Sequence, residues 1–149
     1  MDFTEASVQM TDKVVFHFDI AGDNFTSAGE ASVKIKKLLR EMGFSPDVIR
    51  RVSVAMYEGE INMVIHANGG NADVEVYSDR IEIILADKGP GIPNIDLAMQ
   101  EGYSTAPDNI RSLGFGAGMG LPNMKRYTDN MRIESVQGEG TTIYMTVKT

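Results

Sequence analysis

The 149-residue chain contains no cysteine. Disulfide staples, thiolate metal centres and a cysteine nucleophile are therefore excluded together. It also lacks any run approaching the roughly 20 apolar residues of a membrane-spanning helix. Met1 to Met10 carry acidic and polar groups where a secretory leader needs a basic region and an apolar core, so a cytoplasmic location is expected. Positive charge is scarce: 14 Lys and Arg stand against 21 Asp and Glu, a formal net charge of −7. That balance disfavours nucleic acid as a direct partner, because phosphate backbones are bound through cationic side chains. No G-x-x-x-x-G-K-[ST] string occurs, which removes a Walker-type phosphate loop. Internal repeats, low-complexity tracts and linkers are also missing, so residues 1–149 read as one domain. The remainder, 42% apolar and 23% charged, is ordinary for a globular protein of this size.

Glycine is what the chain concentrates. One cluster is Asp87-Lys88-Gly89-Pro90-Gly91-Ile92. The other places glycines at 114, 116, 118 and 120, running into a helical stretch. Glycine lets a backbone approach a ligand without a Cβ in the way. Glycines opening a helix also leave backbone N–H groups pointing outward at the positive end of its dipole. This is the outline of a phosphate site. A dinucleotide fingerprint does not fit, since its glycines follow the first strand of a βαβ unit, whereas these follow a long loop.

Residues 14–20 alternate, with Val14, Phe16, Phe18 and Ile20 on one side and Val15, His17 and Asp19 on the other. This is a strand with one buried face, which puts His17 on the outer surface. A helix is expected from Ala28 to Met42, capped by Thr26 or Ser27. Ala31, Ile35, Leu38 and Leu39 form its apolar stripe, and Gly43 stops it. A second helix is expected over 46–67, with Ser45 as cap and Pro46 in its first position. Val48, Val52, Met56 and Met63 fall on one meridian of that helix. Glu58 and Asn62, four apart, share one flank, whereas Glu60 lies roughly 200° round from Asn62 and cannot join them. Asn68 to Asn71 breaks the helix. Strands at 73–77 and 80–86 form a hairpin through Ser78-Asp79, with Val74, Val76, Ile81, Ile83 and Leu85 inward.

A short helix is expected over 94–100. Glu101 to Leu113 shows no periodicity, and loops of that length are commonly lids or binding loops. A helix over 118–130 with Pro122 in its first turn follows, then strands at 131–136 and 142–147 joined by Gln137 to Gly140. One-sided alternation in the strands implies a sheet covered on one face: an α/β (α+β) chain folded as a two-layer sandwich, with a mixed, mostly antiparallel sheet and helices on one side.

Glu58-x-x-x-Asn62 on a helix, Asp87-x-Gly89-x-Gly91 after a strand, a lid, alternating glycines opening a helix, and Gly140-Thr141-Thr142 before the last strand together resemble the GHKL ATPase superfamily. Its domain is the Bergerat ATP-binding fold. The resemblance runs from about residue 14 to the C-terminus. Within the superfamily the chain looks most like the small bacterial anti-sigma factors that are also serine-protein kinases. Two positions depart from that group: Tyr57 stands where serine is usual, and Gly59 where alanine is usual.

The resemblance implies an ATP- and Mg²⁺-dependent serine/threonine protein kinase in which Glu58 is the general base and Asn62 supplies an oxygen to the metal. It implies that Asp87 accepts from the adenine amino group, backed by Thr141 or Thr142, with Gly89, Gly91 and Ile92 beside the base and ribose. Gly114, Gly116, Ala117, Gly118, Met119, Gly120 and Leu121 would face the phosphates. Ser104, Thr105 and Arg111 would act from the lid, Arg111 pairing with a phosphate oxygen. Expected partners are a sigma factor or an anti-sigma-factor antagonist-like protein, with the chain a homodimer. The other reading it implies is a nucleotide-sensing module that sequesters a partner with little or no transfer.

Overall fold

The computed structural model describes residues 13–22, 28–100 and 120–149. In chain order the elements are β1 (Val14–Ala21), α1 (Glu30–Glu41), α2 (Pro46–His66), β2 (Gly69–Val76), β3 (Arg80–Asp87), α3 (Ile95–Ala98), α4 (Gly120–Arg126), β4 (Asn130–Val136) and β5 (Gly140–Lys148). The five strands form one sheet in the order β1-β2-β3-β5-β4. Every adjacent pair is antiparallel, so the sheet is not mixed among the described residues. The reason lies in the connections. β2–β3 and β4–β5 are hairpins, and the helical pair α1–α2 between β1 and β2 returns the chain in the opposite direction.

The helices cover one face. Ile35 and Leu39 of α1, and Val52, Met56 and Met63 of α2, pack on Val74, Ile81, Ile83, Met145 and Val147 of the sheet. Burial of these side chains is the main favourable term in folding. The opposite face carries His17, held between Asp73 and Asp19, whose hydrogen bonds raise its pKa above the ordinary histidine value.

Ser45 caps α2 as expected, its hydroxyl accepting from the Val48 N–H at 3.2 Å, with Pro46 in the first turn. α1 is different. Thr26 and Ser27 lie outside the described residues, and the helix starts from Gly29 in the left-handed region (φ 101°), with no side-chain cap of its own. Glu60 of α2 takes that role. Its carboxylate accepts from the N–H groups of Gly29 (3.0 Å), Ala31 (3.0 Å) and Ser32 (2.8 Å). The side chain is only 2% exposed. A buried carboxylate is tolerable there because it meets three helix donors and the positive end of the dipole. The glutamate that cannot share the Glu58 flank thus fixes α1 to α2.

Two other boundaries move. β2 begins at Gly69, because Gly69 and Gly70 pair with Ala21 and Ile20 instead of forming a free turn. α4 ends at Arg126, short of residue 130. The Asp129 N–H donates to the Thr146 carbonyl at 2.8 Å, and its carboxylate accepts from the Lys148 N–H and from Arg51, both at 2.7 Å. Arg51 also donates to the Tyr127 carbonyl. These ties pull Tyr127–Asp129 out of helical geometry and onto α2 and β5.

Glu60→Ala is expected to cost about 3 kcal/mol, since it orphans three buried donors. Urea unfolding reads this, and a loss under about 0.5 kcal/mol would contradict the capping role. Asp129 gives a pH signature. The Lys148 N–H, and then Arg51, hold its pKa below the 3.8 of a free aspartate. A depressed native pKa stabilises above the unfolded value and is lost as pH falls through the native one. The stability gap between wild type and Asp129→Asn, about 1 kcal/mol near neutrality for this partly exposed group, should therefore close below pH 3.8.

Candidate nucleotide-binding site

α2 and α4 pack side by side, and Glu58 lies in the seam. Glu58 Oε2 accepts from Asn123 Nδ2 at 3.0 Å. Its other oxygen faces the start of α4: a Cβ placed on Gly120 would sit 3.8 Å from Glu58 Oε1. Asn62 follows one turn further along α2, half-buried like Glu58. Gly59, between them, points the other way. A Cβ there would lie 2.1 Å from Leu85 Cδ1, so the glycine exists to let α2 sit down on β3 and not to admit a ligand.

At the end of the sheet the inward rows change character. Leu85, Ile143 and Ile133 form one row, and the next row is Asp87, Thr141 and Ser135. Asp87 Oδ1 accepts from the Gly89 N–H at 2.9 Å and the Thr141 N–H at 3.2 Å. Both bonds fall on the same oxygen. The Thr141 and Ser135 hydroxyls are 2.8 Å apart, and Ser135 Oγ accepts from the Ile92 N–H at 2.7 Å. Pro90 closes the loop by accepting from the Gly138 N–H at 2.8 Å. Gly89 is pressed against α2: a Cβ on it would be 2.6 Å from Ala67 Cα. Gly91 (φ 81°) similarly approaches the Val136 carbonyl.

The structure thus places Glu58 beside Gly120, with Asn62 one turn further along α2, and brings Asp87, Gly89, Gly91, Ile92 and Thr141 together at the sheet end that meets the C-terminus of α2. Ala67, which touches Gly89, is nine residues past Glu58, about 13 Å along the helix axis. This is the length scale of an extended nucleoside triphosphate. Thr142 is not in that group, since strand alternation turns it to the outer face opposite Ala86. Leu121 is 7% exposed and belongs to the core. Ser104, Thr105, Arg111, Gly114, Gly116, Ala117, Gly118 and Met119 lie outside the described residues. His66, in the last turn of α2, is half-buried, and burial lowers its pKa. Among the described residues no cluster of three or more His, Asp or Glu could hold a metal ion. No described helix is long and apolar enough to cross a membrane.

Two site residues were not singled out from sequence. Ser135 had a signal, as the inward position opposite Thr141 in the closing hairpin. Asn123 had none, since its partner lies 65 positions away.

A one-sided antiparallel sandwich with an aspartate-anchored loop at the strand ends, facing a Glu-x-x-x-Asn helix, is the architecture of the GHKL class. Residues 24–147 match the model of the histidine kinase-like ATPase domain, and the chain belongs to that family. It is 36% identical over 112 residues to the serine/threonine-protein kinase RsbT of Bacillus subtilis, covering 72% of this chain and 78% of that protein. It is 32% identical over 122 residues to the anti-sigma F factor of Priestia megaterium, covering 77% and 80%. A chain of the SiaB-SiaC complex from Pseudomonas aeruginosa shares the fold, with a TM-score of 0.55 at 10% identity over 90% of this chain and 89% of that one.

Replacing Gly89 by alanine should push the Asp87–Gly91 loop away from the end of α2. The added Cβ meets Ala67 backbone, which cannot rotate away, so a stability loss of about 2 kcal/mol is expected. Thermal unfolding and amide exchange at Gly89 and Thr141 would report it; unchanged protection at both would contradict the wedge.

Proposed function

We propose that this protein is an ATP-dependent serine/threonine protein kinase acting on a regulatory partner protein. The observation that carries the reading is the placement of Glu58 Oε1 against Gly120, where the glycine cluster opens α4. A carboxylate at that point is within reach of a hydroxyl poised to attack a terminal phosphate. The adenine would lie at the sheet end that meets the C-terminus of α2, its amino group donating to Asp87. The two backbone donors on Oδ1 fix the carboxylate plane and leave Oδ2 to face the base.

In the reaction the partner's serine or threonine oxygen attacks the γ-phosphorus. Its proton passes to Glu58, the bond from phosphorus to the β,γ-bridging oxygen breaks, and ADP leaves with that electron pair. Asn62 fits a magnesium ion. It offers a hard amide oxygen, and with no acidic cluster among the described residues most other ligands would be phosphate oxygens and water. Bound there, magnesium would neutralise phosphate charge. The orientation of Glu58 and Asn62 is supplied by α2 itself, because the two lie on one flank of a rigid helix.

The similarity to RsbT and to anti-sigma F factors supports a partner of the sigma-factor or anti-sigma-antagonist kind. Action in the cytoplasm and as a homodimer belongs to the same proposal.

The test is transfer of label from γ-labelled ATP to proteins retained by this chain as bait. Glu58→Ala should lower transfer at least about 100-fold while leaving nucleotide affinity within about twofold. Asn62→Ala should be comparably severe and should reduce the dependence on magnesium. Transfer retained in Glu58→Ala would overturn the assignment of the base. Tight nucleotide binding with no labelled protein would replace the kinase by a sequestering module.

A further inference from the structure

The amide of Asn123 is held from both sides. Its Nδ2 donates to Glu58 Oε2 at 3.0 Å, and its Oδ1 accepts from Arg126 Nη1 at 2.7 Å. The two neighbours carry opposite charges, which settles the orientation of the amide. A guanidinium can only donate and so selects the oxygen, while an ionised carboxylate can only accept and so selects the NH₂. A cation on the carbonyl also polarises the amide, making it a stronger donor to Glu58. Of the two carboxylate oxygens, the one Asn123 engages is Oε2, and the one turned toward Gly120 is Oε1.

We infer that Asn123 is a positioning residue for phosphoryl transfer, holding the Glu58 carboxylate by one oxygen so that the other is presented to the attacking hydroxyl. This deepens the proposed function and rests on it. A carboxylate with three rotatable bonds, half-buried at a helix seam, would otherwise sample orientations in which neither oxygen meets the substrate. Misplacement of a catalytic group by about 1 Å can cost about 100-fold in rate. Asn123 acts from α4, so the geometry of the base depends on an element separate in sequence from the one that carries it.

The experiment compares kcat and KM for Asn123→Leu, which keeps the size and removes the donor, and for Asn123→Asp, which turns the donor into a second carboxylate. Asn123→Leu should lower kcat about tenfold with KM for ATP within about twofold, the pattern of a group that matters in the transition state and not in nucleotide binding. Asn123→Asp should be more severe, because it opposes like charge to Glu58. Circular dichroism establishes that each variant is folded. Independently of turnover, the Asn123 side-chain NH₂ resonances in the nucleotide-free protein should move upfield in Glu58→Ala.

An unchanged kcat in both variants, or an unmoved amide resonance, overturns the inference. A raised KM at constant kcat also overturns it, by making Asn123 a nucleotide contact. If Glu58→Ala itself transfers phosphate normally, the identification of the base fails and this inference falls with it. If Glu58→Ala is inactive while both Asn123 variants keep wild-type kcat, only the positioning role is lost.

Discussion

The depth at which α2 sits on the sheet governs the rest of the molecule. At Gly59 the helix approaches so closely that a Cβ would overlap Leu85, itself almost fully buried. Met56 and Met63, on the same side, are packed into the core. With that stripe seated, the rotation of α2 is fixed, and 3.6-residue periodicity assigns every other side chain a direction. Glu58 turns toward α4, with Asn62 on the same flank one turn on, and Glu60 turns toward α1, where it meets three backbone donors. Arg51, two turns earlier than Glu58, reaches the chain between α4 and β4. One packing constraint therefore places Glu58, caps a neighbouring helix and anchors a third segment.

The sheet supplies the second fixed point. Its inward rows run from Ile83, Met145 and Met131 through Leu85, Ile143 and Ile133 to Asp87, Thr141 and Ser135. The last row is polar where the preceding ones are apolar, and its members satisfy one another and the loop that follows. An aspartate at a free strand end would be mobile. Here two backbone donors share one of its oxygens, so the carboxylate is held in orientation by the loop and by β5.

Local patterns were legible in the sequence where the deciding interactions are local. The Ser45 cap, the Glu58–Asn62 flank, the inward face of β3 and the one-sided sheet all follow from periodicity and capping rules within a few residues. The readings that changed depend on distant partners. α1 starts just after Gly29 because its cap is Glu60, 31 residues away from that glycine. α4 stops at Arg126 because Arg51 and Lys148 compete for the residues after it. Strand alternation selects Thr141 over Thr142, since Thr141 shares the inward face of Ile143, but only the register of β5 on β3 sets it opposite Asp87. Gly59 was visible as an anomaly in a helix, but its reason was a leucine on another element.

The short helix α4 shows how these long-range ties bear on chemistry. It spans Gly120–Arg126, too few residues to be stable by its own hydrogen bonds. Leu121 and Met124 dock it on the core, Asn123 ties it to Glu58, and the Asp129–Arg51 pair secures the chain just beyond it. Each of the two polar ties ends on α2. A seven-residue helix held mainly by tertiary contacts is therefore coupled to the helix that carries Glu58, and its first residue is the last of the four alternating glycines. One turn beyond Gly120, Asn123 ties α4 to Glu58. In this arrangement the approach of Gly120 to Glu58 Oε1 and the hold of Asn123 on Glu58 Oε2 are consequences of the same docked helix, so a shift of α4 would change the surroundings of both carboxylate oxygens together.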